Sequence, residues 1–330
     1  MLIYRDLELV GTTMIKIDNL RKSYGDFCAV DGISFSVGPG EVLGFLGPNG
    51  AGKSTTMKMV TGFIRPSTGS VSLFGHDIER DPVIAKSLIG YLPEGAPAYG
   101  DMLVSQFLGF IAEIRGFKGE EKDQRVTRVV EQLALQAVLD RPIDNLSKGF
   151  KRRVGIAQAI LHDPRVLILD EPTDGLDPNQ KHQVRELIRS LSKDKIVIIS
   201  THILEEVTAV CSRAIIIANG RVVADSTPTE LEARSQYHRA ITIELGSEDS
   251  LVDELAGLKG VKRLEEYPGT PGRYTLIPEN QEEGAVNLFD TVNKLISSNG
   301  WEVRELYMES GRLDDVFREL TFSGDQEGVA

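Results

Sequence analysis

The sequence predicts an α/β fold around a buried central sheet, followed by a small α+β layer. Three observations predict it. An apolar segment, Glu41-Val42-Leu43-Gly44-Phe45-Leu46, runs into a glycine-rich turn and then into the helix-forming segment from Lys53 to Thr61. Two aliphatic runs, Val166-Leu167-Ile168-Leu169 and Ile196-Val197-Ile198-Ile199, show no polar alternation, as strands covered on both faces require. Residues 239–321 then order as strand, helix, strand, strand, helix, strand, the pattern of a ferredoxin-like layer.

The turn after the first strand carries the chemistry. Residues 47–55 read Gly47-Pro48-Asn49-Gly50-Ala51-Gly52-Lys53-Ser54-Thr55 and fit the phosphate-loop pattern G-x-x-x-x-G-K-[ST]. Triphosphate oxygens need many donors in a small space. Gly47, Gly50 and Gly52 let the backbone curl so that successive N–H groups converge on one point, at the head of a helix whose dipole also favours anions. Lys53 is placed to reach the β- and γ-phosphates, and the Ser54 hydroxyl to ligate Mg²⁺.

A second motif supplies the acids. The run Val166 to Leu169 ends in Asp170-Glu171, and open α/β sheets place their ligands at the C-terminal ends of their strands. Asp170 suits a Mg²⁺ shell, and Glu171 suits the base that polarises a water for in-line attack. Alone, two acids ending a strand also fit a turn-and-cap device. Their conjunction with the phosphate loop favours the hydrolytic reading.

Taken together, these and several further segments resemble the ATP-binding subunits of ABC transporters. Leu146-Ser147-Lys148-Gly149-Phe150 stands where that family carries its signature Leu-Ser-Gly-Gly-Gln, keeping the serine and the second glycine. Asp174-Gly175-Leu176-Asp177 follows the acids as the family's D-loop does. Thr201-His202 matches the switch histidine, and Tyr24 the aromatic that stacks on adenine. The motifs keep the family's order over residues 14–225. The resemblance implies a phosphate-loop ATPase domain with a mixed-sheet core, an antiparallel β part and a helical subdomain near residues 95–161. It also implies two copies paired head to tail, each ATP lying between one copy's phosphate loop and the other's Ser147 and Gly149, with His202 holding Glu171 and the water in register. Glu94, in Ile89-Gly90-Tyr91-Leu92-Pro93-Glu94, stands where the family usually has glutamine, so a carboxylate adds negative charge beside the metal.

Composition agrees with this reading. The 330 residues suit about two domains, and 41% hydrophobic with 26% charged residues suits a globular protein. A net charge of −12 argues against direct nucleic-acid binding. For the basic cluster Lys148, Lys151, Arg152 and Arg153, a solvated helix face and a nucleotide or partner contact both fit. Cys28 and Cys211, far apart in sequence, give no disulfide framework and suit a reducing cytoplasm. No stretch approaches about 18 consecutive apolar residues, so transport needs a separate multi-span permease, with this chain peripheral at the cytoplasmic face of the membrane.

The organisation reads as an extension or alternative start over 1–13, an ATP-binding domain over 14–236, an accessory α+β domain over 239–321 and a tail over 322–330. Within the first domain, strands are expected from Met14 to Leu20 and from Ser70 to Phe74, and helices from Val104 to Arg115 and from Lys122 to Leu135. Residues 95–102 fit either a plain surface loop or the place where the family receives a helix of its membrane partner. Ala214–Ala218 and Arg221–Ala224 flank Asn219-Gly220, a hairpin signal, and Thr227 opens a capped helix. The accessory domain carries no glycine-rich loop or metal spacing; packing, dimer support and regulation all fit it.

The single phosphate loop and the Leu-Pro-Glu and Leu-Ser-Lys-Gly variants look most like ABC-2 type exporters, so the expected function is ATP hydrolysis powering export. The alternative is a soluble ABC ATPase acting on ribosomes or nucleic acid, whose members carry tandem domains or long coiled coils that this chain lacks. A non-catalytic scaffold conflicts with Glu171 and His202.

Overall fold

The structure, a computed structural model, describes residues 14–95, 98–246, 252–267, 269–279, 281 and 287–322. The expected N-terminal extension 1–13 and the tail beyond Phe322 lie outside the described residues, as do parts of the 95–102 loop and of the helix expected from Gly284. The chain divides into two compact units, the second being Thr227–Glu319. The boundary therefore falls ahead of the capped helix rather than after it.

In the first unit, β1 (Ile15–Tyr24) and β2 (Phe27–Val37) form a hairpin, and β3 (Val42–Leu46) leads through the glycine-rich loop into α1 (Lys53–Val60). β4 (Thr68–Leu73) and β5 (His76–Asp77) complete an antiparallel sheet of order β2-β1-β4-β5. After α2 (Pro82–Ser87) and β6 (Ile89–Leu92), the chain makes a helical region of α3 (Val104–Ile114), α4 (Gly119–Gln132) and α5 (Lys148–Ile160). β7 (Val166–Asp170), α6 (Pro178–Ser192), β8 (Ile196–Thr201), α7 (Leu204–Val210), β9 (Arg213–Ala218) and β10 (Arg221–Ser226) follow. The second sheet runs β10-β9-β3-β8-β7-β6, parallel except for the β9–β10 hairpin.

The uninterrupted aliphatic runs have a direct structural reason. Every residue of β3, β7 and β8 is buried. Successive side chains point to opposite faces, so Leu167, Leu169, Val197 and Ile199 pack into the core shared with the helical region. Val166, Ile168, Ile196 and Ile198 pack into the core shared with the antiparallel sheet and α1. The sheet is thus the wall between two cores.

Two local signals deserve their physical reading. Asn219 and Gly220 take φ of 50° and 75°, the two left-handed positions a tight hairpin needs, and Ala218 pairs with Arg221 across them. α4 begins at Gly119 rather than Lys122: Glu120 and Glu121 stand in its first turn, where carboxylates favour a helix start.

The second unit opens with α8 (Pro228–Glu232), capped reciprocally by Thr227 and Glu230. β11 (Ile241–Leu245), α9 (Val252–Ala256), β12 (Val261–Glu266), β13 (Arg273–Pro278), α10 (Leu288–Asn299) and β14 (Val303–Met308) follow, then α11 (Leu313–Phe322). Their antiparallel sheet has the order β12-β13-β11-β14, the order of two interlocked strand–helix–strand units. Ile241, Ile243, Leu245, Leu276, Leu288 and Val292 close its core.

One buried titratable group joins the helical region to the central sheet. Nε2 of His162, just past α5, lies 2.9 Å from the Ile89 carbonyl, while its Nδ1 is buried without a partner. Burial, with the Arg115 charge adding to it, pushes the His162 pKa down from 6.5 to about 4. The folded chain keeps the ring neutral where the unfolded chain takes up a proton. Stability is therefore lost as pH falls from about 6.5 to about 4, with no such loss above that window. His162→Gln is expected to show a smaller drop in urea midpoint between about pH 7 and about pH 5 than the parent chain. Equal drops would place the acid sensitivity elsewhere.

Candidate functional site

The loop between β3 and α1 is closed by a turn in which the Ala51 N–H donates to the Pro48 carbonyl at 3.2 Å. Its curl depends on absent side chains. A Cβ at Gly47 would stand 2.5 Å from the Ile217 carbonyl oxygen, and one at Gly52, where φ is 102°, 2.5 Å from that of Ala29. The loop is also tied from behind: the Gly220 N–H donates to the Ala51 carbonyl at 3.1 Å, and the Asp31 N–H to the Gly220 carbonyl at 2.8 Å. Lys53 is 6% exposed, and its Nζ donates to the Gly47 and Pro48 carbonyls at 2.7 and 3.1 Å. Burial lowers its pKa, and the charges of Glu171, Asp170 and Glu94 oppose that shift.

Opposite the lysine stands a carboxylate group. Asp170 ends β7, is 1% exposed, and has both oxygens buried without a hydrogen-bond partner. Glu171 leaves the strand at φ 49°, its N–H held by the Ser200 carbonyl at 2.9 Å. That left-handed turn, costly for a residue with a Cβ, brings Glu171 to His202, whose Nδ1 lies 3.0 Å from both carboxylate oxygens. The pair spans the ends of β7 and β8, which are neighbours in register from Val166↔Ile196 to Asp170↔Ser200. Glu94 is exposed, yet its charge acts on Lys53 and Tyr91. Burial pushes the Tyr91 hydroxyl above its ordinary pKa, and the charges of Asp170 and Glu94 push it further.

These donors fit a hard cation. Two buried oxygens with no partner are expensive unless a cation or proton supplies one. Among the described residues no group of three or more His, Cys, Asp and Glu gathers for a metal. Asp170, the half-buried Ser54 and Glu94 are instead a sparse oxygen set, of the kind that holds a cation together with phosphate oxygens. Thr55 follows Ser54 in the first turn of α1, also half-buried.

The remaining expected residues are placed as follows. Tyr24 is 52% exposed at the tip of the β1–β2 hairpin, beside the exposed Phe27. This is the hairpin whose Ala29 carbonyl abuts Gly52. Ser147 is exposed and caps α5, its Oγ accepting from the Phe150 N–H at 3.4 Å. Gly149 is buried against the Gln180 side chain, which a Cβ would meet at 2.6 Å. Asp177 caps α6, its Oδ1 accepting from the Gln180 N–H at 2.9 Å. Among the described residues no hydrogen bond or ion pair joins Ser147 or Asp177 to the phosphate loop. One chain brings together Lys53, Asp170, Glu171, His202 and Glu94, and leaves the signature serine facing outward.

Two residues escape sequence reasoning. The basic cluster is not one surface: Lys151 pairs with Asp144 at 3.6 Å and Arg153 with Gln183, whereas Arg152 is buried. The helical period held the signal, since Arg152 shares the buried stripe of Gly149, Ile156 and Ala159. Glu206 on α7 is also buried, with Oε1 unpartnered. Burial raises its pKa, a hydrogen bond from Thr201 opposes the rise, and the Glu171 charge adds to it.

Comparison with known proteins places this geometry. The ABC transporter family model matches residues 30–174. The Nod factor export ATP-binding protein I of Paraburkholderia xenovorans is 38% identical over 252 residues, 76% of this chain and 82% of that protein. The probable multidrug ABC transporter ATP-binding protein YbhF of Escherichia coli is 36% identical over 226 residues, 68% of this chain; the chain spans only 39% of that relative's length. Among solved structures, CbiO1 of Clostridium perfringens, described as part of the ABC transporter complex CbiONQ, superposes with a TM-score of 0.62 at 30% identity. That match covers 68% of this chain and 92% of CbiO1. The chain belongs to the ATP-binding proteins of the ABC transporter family.

Proposed function

We propose that this chain hydrolyses ATP and powers a separate membrane permease, in an exporter of the ABC-2 type. The observation that carries the reading is the Glu171–His202 pair beside the unpartnered Asp170 carboxylate, at the strand ends facing the Lys53 loop. The converging loop amides and Lys53 hold the triphosphate. Glu171 accepts a proton from water as its oxygen attacks the γ-phosphorus in line and the bond to the β-phosphate bridge breaks, giving ADP and phosphate. His202 fixes the orientation of Glu171. Asp170, Ser54 and Glu94 hold Mg²⁺, which when bound neutralises charge on the β- and γ-phosphates. Tyr24 offers its exposed ring to adenine.

Ser147, outward at the head of α5, suits a clasp on the γ-phosphate held by a second copy; Gly149 and Asp177 belong to that facing surface. Among the described residues no helix is long and apolar enough to cross a membrane, which supports a separate permease and a place at the cytoplasmic face. The relatives' names, multidrug and Nod factor export, support export over import. The domain limits follow the same reading: an ATPase domain over 14–236 and an accessory domain over 239–321.

Two variants test the assignment. Lys53→Ala is expected to lose triphosphate affinity and turnover together; intact turnover in titrations of the purified chain would contradict the site. Glu171→Gln should still bind ATP but hydrolyse it roughly 10²–10⁴-fold more slowly, the range for removing a general base. With ATP it should accumulate as a dimer by light scattering, and turnover near that of the parent would remove Glu171 as the base.

A further inference from the structure

α5 carries a second functional group one turn beyond Ser147. Arg152 is 6% exposed, and its Nη1 is buried with no hydrogen-bond partner. A guanidinium does not lose its proton in a protein, so burying one is costly unless negative charge compensates. Burial pulls the Arg152 pKa below its ordinary value, and the charges of Asp174, Glu171, Asp170 and Glu94 oppose the shift. These are the carboxylates at and beside the hydrolytic site.

The fold explains how one arginine meets all of them. α5 is flanked by the two segments that carry the acids. Its first turn packs Gly149 against Gln180, so it lies along the chain that runs from Glu171 through Asp174 into α6. At its other end His162 is bonded to the Ile89 carbonyl of β6, the strand that leads to Glu94. Arg152 stands on the buried stripe between these anchors. Asp170, Glu171, Glu94 and Asp174 concentrate negative charge, and Lys53 and Arg152 bring positive charge to the same group.

We propose that Arg152 is a positioning residue of the hydrolytic site, an internal counter-ion that holds Glu94, Asp170 and Glu171 in place and ties them to the helix capped by Ser147. This rests on the reading of Asp170 and Glu171 given above. Movement of α5 when Ser147 engages a phosphate shifts the guanidinium relative to the carboxylates, so engagement at one nucleotide changes the electrostatics at the other. The arginine acts through the carboxylates and transfers no proton.

The experiment compares Arg152→Gln, Arg152→Lys and Glu94→Gln, and the double variant Arg152→Gln/Glu94→Gln, in the full chain. It measures kcat, KM for ATP, the Mg²⁺ concentration giving half-maximal turnover, and the Mg²⁺ dependence of equilibrium binding of a fluorescent ATP analogue. Arg152→Gln is expected to lower kcat roughly tenfold or more, as loss of an electrostatic group at a reacting site does. KM should change less, and both Mg²⁺ titrations should move to lower concentration because the acids have lost their counter-ion. Arg152→Lys should recover most of kcat, since it restores the charge. Adding Glu94→Gln to Arg152→Gln should return kcat to within about threefold of Glu94→Gln alone, the non-additivity of a coupled pair.

The proposal is overturned if Arg152→Gln keeps the parent kcat and Mg²⁺ midpoints, or if the two losses multiply in the double variant. Should Arg152→Gln fail to fold, recovery of folding and turnover in the double variant supports the pairing, and failure of both overturns it. Lys53→Ala serves as the control: turnover surviving there sinks the site assignment itself, whereas its loss alongside unaffected Arg152 variants sinks only the inference about the arginine.

Discussion

A carboxylate sealed at the end of a fully apolar strand is the constraint on which the rest of this site depends. Asp170 is buried with neither oxygen hydrogen-bonded, and a charge in that position is tolerable only if cations surround it. The neighbouring structure answers that demand from several directions. Lys53 enters from the head of α1, Arg152 from the side of α5, and Glu94 and Glu171 raise the demand further. Glu171 accepts a left-handed backbone to leave the strand axis and reach His202. Strain, burial and charge concentration meet at one end of one sheet, as expected where a protein spends stability on chemistry.

The parts that were legible in the sequence were those whose signal is local. The phosphate loop, the aliphatic strands, the Asn219-Gly220 hairpin and the Thr227 cap each carry their instruction within a few residues, and the structure forms each of them. The strand–helix alternation after residue 239 likewise suffices to order a four-stranded sheet. What is not local was harder to see. The Glu171–His202 bond links positions far apart in the chain and exists because β7 and β8 lie side by side in register, which composition does not state. Arg152 was grouped with its basic neighbours because adjacent charges suggest a solvated face. Adjacent residues on a helix point in different directions, and only the three-and-four spacing separates the buried one from Lys151 and Arg153.

The same helix shows how two kinds of group share one element without interfering. Ser147 is held at the exposed cap by a long bond to the Phe150 N–H, so its hydroxyl is loosely engaged within its own chain. Arg152, on the buried side, is enclosed by carboxylates. One end of α5 thus faces a partner's phosphate while its flank faces the chain's own acids. A rigid rod with both attachments transmits displacement, whereas separate loops would absorb it.

The bonds that back the glycine-rich turn have a further consequence, for the order in which the molecule assembles. The Ala51 carbonyl is met by the Gly220 N–H, and the Gly220 carbonyl by the Asp31 N–H, so a cradle encoded in nine consecutive residues is clasped by a hairpin far downstream. Closing so long a loop is slow, and its entropy is repaid only once both partners are in place. During synthesis the motif leaves the ribosome long before its clasp does. The nascent chain therefore carries the phosphate-binding sequence without the phosphate-binding shape, and acquires the latter only when β9 and β10 have joined the sheet.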